Sequence, residues 1–114
     1  MKDADTALLN SSFTDSAILQ SIRTDKQGKI AVMTVPLRDF ARVIGKMGKG
    51  DADERMRIDI IKIDGPLASV WGPYSFYYKG HLHHCGADSF QLLLKDGVWK
   101  IQYIIDTRRD EGCQ

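Results

Sequence analysis

Leu92-Leu93-Leu94-Lys95-Asp96-Gly97-Val98-Trp99-Lys100-Ile101 is the stretch that decides the fold. Two apolar-rich runs flank Asp96-Gly97, a pair suited to the positive φ values of a tight hairpin turn. The same punctuation stands at Asp64-Gly65 and Lys79-Gly80. These three turns separate four runs, 55–63, 66–79, 81–95 and 98–109, which read as an antiparallel meander. Two of the runs exceed the usual strand length of about 5–6 residues. Gly72-Pro73 and Gly86 lie in mid-run and predict bulges and strong bending.

Upstream of the meander, residues 17–24 read as a strand with Ile18 and Ile22 on one face. Asp25-Lys26-Gln27-Gly28 is turn chemistry, and residues 29–35 form a second strand rich in β-branched side chains. Pro36 opens a helix whose Leu37, Phe40, Ala41 and Ile44 recur on one face. Gly45, Gly48 and Gly50 end it. Ala7, Leu8 and Leu9 could dock a short helical turn before residue 10, capped by Asp3 or Asp5. The order helix–β–β–helix–β–β–β–β predicts one α+β domain over 1–114, a bent antiparallel sheet packed on helices.

Composition excludes several classes. The chain has 114 residues, enough for one core. Sixteen basic and 15 acidic residues, interspersed, supply no concentrated basic field, so nucleic acid is not an expected partner. The longest apolar run, Ile30 to Met33, is far short of a membrane span of about 20 residues. Met1-Lys2-Asp3-Ala4-Asp5 is followed by no apolar leader segment, so a cytoplasmic location is expected and no membrane association. Two cysteines, Cys85 and Cys113, do not make a disulfide scaffold. Reduced thiols are the ordinary expectation there, although the tail is free to fold back and bridge them.

Several stretches are similar to the nuclear transport factor 2-like superfamily. Ile63-Asp64-Gly65-Pro66-Leu67-Ala68-Ser69-Val70-Trp71 resembles its third and fourth strands, and Leu92–Ile101 looks like its closing pair. The segments 71–76, 84–86 and 106–109 resemble the SnoaL-like or lumazine-binding-like subgroup. The resemblance implies a sheet wrapped into a cone around an apolar pocket, and a homodimer formed through the outer sheet face. It also implies a long first helix closing the cone. Residues 1–12 look like only its short successor, so that lid is expected to be missing or shortened, leaving a wider mouth. The superfamily includes isomerases, dehydratases and polyketide cyclases as well as non-catalytic binders, so fold alone does not give function.

The densest polar cluster is His81 to Asp88. Alternation places His84, Asp88, Phe90 and Leu92 on one face, expected to be the inside of the cone. A His84/Asp88 pair there is the candidate for acid–base catalysis, because burial would raise the Asp and lower the His toward neutrality. The competing reading is a structural hydrogen bond. His81, His83 and Cys85 share the other face at i, i+2, i+4, a spacing that could suit zinc, but no evident fourth ligand accompanies them. No metal site and no cofactor are therefore assigned. Trp71, Tyr74, Phe90, Trp99 and Tyr103 are the expected ligand-binding side chains, against the plainer reading of core and interface packing. The leading expectation is a binder of a small apolar or aromatic molecule. Its alternatives are a cofactor-free isomerase, dehydratase or cyclase using His84 and Asp88, and a homodimeric interaction module.

Overall fold

A computed structural model of the chain describes residues 13–36 and 52–113. The expected helix from Pro36 and the N-terminal turn lie outside the described residues, as does the question of a shortened lid. No helix occurs among the described residues, so what stands of the α+β expectation is its sheet.

That sheet has seven strands: β1 (Phe13–Thr24), β2 (Ile30–Val35), β3 (Ala52–Met56), β4 (Ile60–Asp64), β5 (Leu67–Tyr78), β6 (His81–Lys95) and β7 (Val98–Arg108). Their order is β2-β1-β7-β6-β5-β3, with β4 continuing alongside β5. All pairings are antiparallel except β1 with β7, which is parallel and closes the two halves of the chain into one sheet. The expected hairpins form, with Asp96 and Gly97 at φ 54° and 78° and Lys79 and Gly80 at φ 51° and 82°.

Three irregularities set which side chains face inward. The expected run 55–63 splits into β3 and β4, because residues 57–59 oppose only Gly72 and Pro73. The bulge thus falls opposite Gly72-Pro73 and β5 itself runs straight. A Cβ at Gly72 would overlap the Arg57 carbonyl oxygen, so only glycine lets the bulged backbone come this close. In β6 the extra residue is His83, between the pairs Phe76↔His84 and Tyr77↔Leu82. In β7 it is Gln102, between Leu92↔Ile101 and Gln91↔Tyr103. The Gln102 amide is held by β1: its Oε1 accepts from Thr14 Oγ1 at 2.9 Å, and its Nε2 donates to the Ser16 carbonyl at 3.3 Å.

One face of the sheet is the core. Leu19, Ala68, Val70, Phe90, Leu92, Ile101 and Ile104 form a single buried cluster, flanked by Phe13, Ala17, Val35, Met56 and Trp99. The opposite, outer face keeps Ile18, Val32, Ile60 and Trp71 between 42% and 54% exposed. Ile18 and Ile22 do share a face, and it is this outer one; Leu19, Ser21 and Arg23 point inward. The two cysteines are joined, Cys85 to Cys113, which corrects the expectation of free thiols. The bridge is reinforced by a backbone pair in which Cys85 and Arg109 exchange both N–H···O bonds, at 3.0 and 2.9 Å. Among the described residues, no helix is long and apolar enough to cross a membrane.

Candidate functional site

The inner face can be read as rows that cross the strands. Val70, Phe90, Ile104 and Leu19 make one row through β5, β6, β7 and β1. One step along the strands, the next row reads Gly72, Asp88, Asp106 and Ser21. In the third, Tyr74 pairs with Gly86 and Arg108 with Arg23, across a gap in the β6–β7 ladder. The fourth holds Glu54, Phe76 and His84. The face therefore changes from apolar to acidic to basic over a few residues of each strand.

Asp88 is the central group of the polar end. It is 3% exposed, and its Oδ2 has no hydrogen-bond partner among the described residues. Burial, then the negative charges of Glu54 and Asp106, push its carboxyl up to about 9, so Asp88 holds a proton at neutral pH. Asp106, its cross-strand neighbour, is also raised by burial. Three interactions oppose that rise: Ser21 Oγ donates to Asp106 Oδ1 at 2.6 Å, and the charges of Arg108 and Arg23 favour the carboxylate.

Tyr74 is 4% exposed and reaches over Gly86 to donate its hydroxyl to the Thr107 carbonyl at 2.7 Å. That reach spans β6 and requires the sheet to bend there. Gly86 permits it, since a Cβ would overlap the same Thr107 carbonyl oxygen. Burial and three carboxylates raise the Tyr74 hydroxyl well above its ordinary range, so it stays a neutral donor. His84 stacks on Phe76 at 4.9 Å and meets Tyr74 edge-on at 5.8 Å. Desolvation, then the charges of Arg108, His83 and Arg23, push His84 down to about 4, leaving it neutral.

The expected site residues thus divide. His84, Asp88, Tyr74, Phe90 and Trp99 lie on the inner face, Trp99 at its apolar end opposite Leu94. His84 and Asp88 do not pair with each other. His84 Nδ1 is 2.8 Å from His83 Nδ1, and the acidic neighbour of Asp88 is Asp106. Trp71 sits on the outer face because β5 does not bulge, and it is 42% exposed. Tyr103 also faces outward, donating to Gln20 Oε1 at 2.6 Å. Both are thereby removed from the inner site. The His81/His83/Cys85 alignment does not exist: the bulge at His83 turns His81 to the inner face, and Cys85 is bonded to Cys113. Among the described residues no group of three His, Cys, Asp or Glu side chains is placed to hold a metal ion.

Asp106 was missed because of a bulge in β7, and Ser21 and Arg23 because the parallel β1–β7 pairing has no local signal. An unbroken hairpin about Asp96-Gly97 would set Asp88 against Ile105 and Phe90 against Tyr103. The single extra residue at Gln102 turns Tyr103 outward and brings Ile104 and Asp106 inward. Nothing in Trp99–Asp106 advertises that bulge; only the Gln102 contacts to β1 show why it forms.

No protein-family model matches the chain, and no curated protein matches it either. Solved structures do. An NTF2-like protein of unknown function from Shewanella baltica superposes with a TM-score of 0.65 at 22% identity, over 96% of this chain and 82% of that one. A protein of unknown function with a cystatin-like fold from Nostoc punctiforme gives 0.67 at 11% identity, over 96% and 90%. The β subunit of a putative aromatic-ring-hydroxylating dioxygenase from Novosphingobium aromaticivorans gives 0.63 at 15% identity, over 99% and 82%. The chain has the nuclear transport factor 2-like fold. At these identities the likeness is one of fold and does not carry an activity across.

Proposed function

We propose that the protein binds a small molecule on the inner face of its sheet. The ligand's apolar or aromatic body would lie on the inner face beside the Phe90 row, and its acceptor oxygen would accept a hydrogen bond from the Asp88 carboxyl. The observation that carries this reading is the buried Asp88 carboxyl, whose Oδ2 finds no hydrogen-bond partner among the described residues. An unpaired polar group at this depth costs folding free energy, and a site that must hydrogen-bond a ligand accounts for it. Native mass spectrometry on untagged protein tests the proposal. Wild type should retain a mass lost on denaturation, and Asp88→Leu should not. Wild-type protein that carries nothing and takes up no apolar carbonyl compound would contradict it.

A second reading has its own observation. At neutral pH Asp88 is a loaded acid and His84 an unloaded base, on one face of one strand. That is the protonation pattern a cofactor-free isomerase, dehydratase or cyclase needs, since the acid gives a proton while the base removes another. Turnover lost in both Asp88→Asn and His84→Gln, with binding kept, would favour this reading. A third reading, a homodimeric interaction module, is supported by Ile18, Val32, Ile60 and Trp71 exposed together on the outer face. A second copy would cover them. The cytoplasm is a poor setting for a protein carrying the Cys85–Cys113 bond, and an oxidising compartment suits it better.

A further inference from the structure

We infer that the ligand carries a carboxylate, and that Arg23 and Arg108 bind it. This rests on the inner-face binding reading above. The two arginines are register partners on the parallel strands β1 and β7, one step beyond Ser21 and Asp106. Ser21 donates to Asp106, so the two share a face; the two-residue step from the buried Leu19 and Ile104 makes it the inner one, and the same alternation carries Arg23 and Arg108 there. Like charges side by side on neighbouring strands repel each other. Among the described residues neither arginine makes an ion pair or a side-chain hydrogen bond. The nearest compensation is the charge of Asp106, one step deeper, which is already engaged by Ser21. Their field also reaches His84 on the far side of Gly86, where both disfavour the imidazolium.

The geometry of the surroundings fits an anion that enters head-outward. Arg23 is exposed and Arg108 half-buried, so the pair sits at the open edge rather than in the core. On the Tyr74 side the site is bounded by the Thr107 carbonyl, which lies over Gly86 and accepts from the Tyr74 hydroxyl at 2.7 Å. Two guanidinium forks match a planar carboxylate through parallel N–H···O bonds. From there an apolar body would pass the protonated Asp88 and end beside Phe90 and Ile104. Glu54 and Asp110 are the acidic groups that also act on this end, on Asp88 and His84 respectively.

Three probes sharing one body separate the possibilities: 1-naphthoate, 1-naphthalenemethanol and 1-naphthylmethylammonium. Each is titrated by calorimetry into wild type, Arg23→Gln, Arg108→Gln and Arg23→Lys, after thermal melts show that every variant folds. Naphthoate should bind at least about 10-fold tighter than the alcohol, and each Arg→Gln change should remove about that factor while leaving the alcohol unchanged. Arg23→Lys should keep part of the preference, and added salt should erode it. Equal binding of naphthoate and alcohol would overturn the inference and leave the binding reading intact. So would tighter binding of the ammonium probe, or an equal loss of all probes in the Arg→Gln variants. Failure of all three probes to bind wild type would overturn both.

Discussion

At one end of the inner face Phe90, Ile104 and Leu19 are buried among apolar neighbours; two residues along the same strands, Asp88, Asp106 and Ser21 occupy the same face. Phe90 and Asp88 are equally hidden, at 3% exposure each. Yet burial stabilises one and burdens the other. Removing a phenyl ring from water contributes about 2–3 kcal/mol, whereas an unpartnered carboxyl at that depth costs free energy and keeps its proton. A sheet that needed only a core would continue the apolar row. The Phe90 end therefore holds the fold, and the Asp88 end is kept polar against stability.

The largest way to sharpen that contrast is Phe90→Ala. It should destabilise the protein by about 3–5 kcal/mol in chemical denaturation, because the buried ring leaves a cavity. It should leave the shape of the stability–pH curve unchanged. Next comes Cys113→Ser, which frees the tail from β6. The bond spans 28 residues, and opening a loop of that size should cost about 3–4 kcal/mol, with reduction of wild type giving the same loss. Gly86→Ala should cost about 1–3 kcal/mol, since its Cβ meets the Thr107 carbonyl oxygen. It should also disturb the Tyr74–Thr107 hydrogen bond, which a shift of the Tyr74 ring resonances would report. Trp71→Ser on the outer face should change monomer stability by less than about 0.5 kcal/mol. A large loss there would break the division between faces, unless sedimentation showed that a dimer had been lost.

pH separates the two ends further. Asp88 is raised in the folded state, from an ordinary 3.8 to about 9. The unfolded chain therefore releases this proton first, and stability falls as pH rises through that window. His84 is depressed from 6.5 to about 4, so between those values the unfolded chain binds the extra proton and stability rises with pH. The two slopes oppose each other below pH 6.5, and above it the Asp88 fall stands without the His84 rise. Asp88→Asn should remove that fall and leave the rise below pH 6.5. Urea midpoints across pH 4–9 measure both.

Much of this was legible from residues alone. Asp96-Gly97 and Lys79-Gly80 set the hairpins, and alternation from Phe90 placed Asp88 and His84 on the inner face, because side-chain direction depends only on parity along an unbroken strand. What was not legible depended on where single-residue insertions fall. The bulge at Gln102 exchanged Tyr103 for Asp106, the bulge at His83 dissolved the His81/His83/Cys85 row, and the straight run of β5 left Trp71 outside. Each is fixed by contacts across strands distant in sequence, such as Thr14 to Gln102, which no local pattern encodes. The parallel pairing of β1 with β7, which brings Ser21, Arg23 and Arg108 together, is of the same kind.

The claim on which the rest depends is that Asp88 keeps its proton at neutral pH. A carbon-13 NMR titration of the Asp88 side-chain carboxyl, assigned by comparison with Asp88→Asn, tests it directly. A protonated carboxyl at pH 7 and a midpoint near 9 are expected. A midpoint near the ordinary 3.8 would show an ionised, solvated Asp88 and would contradict the claim.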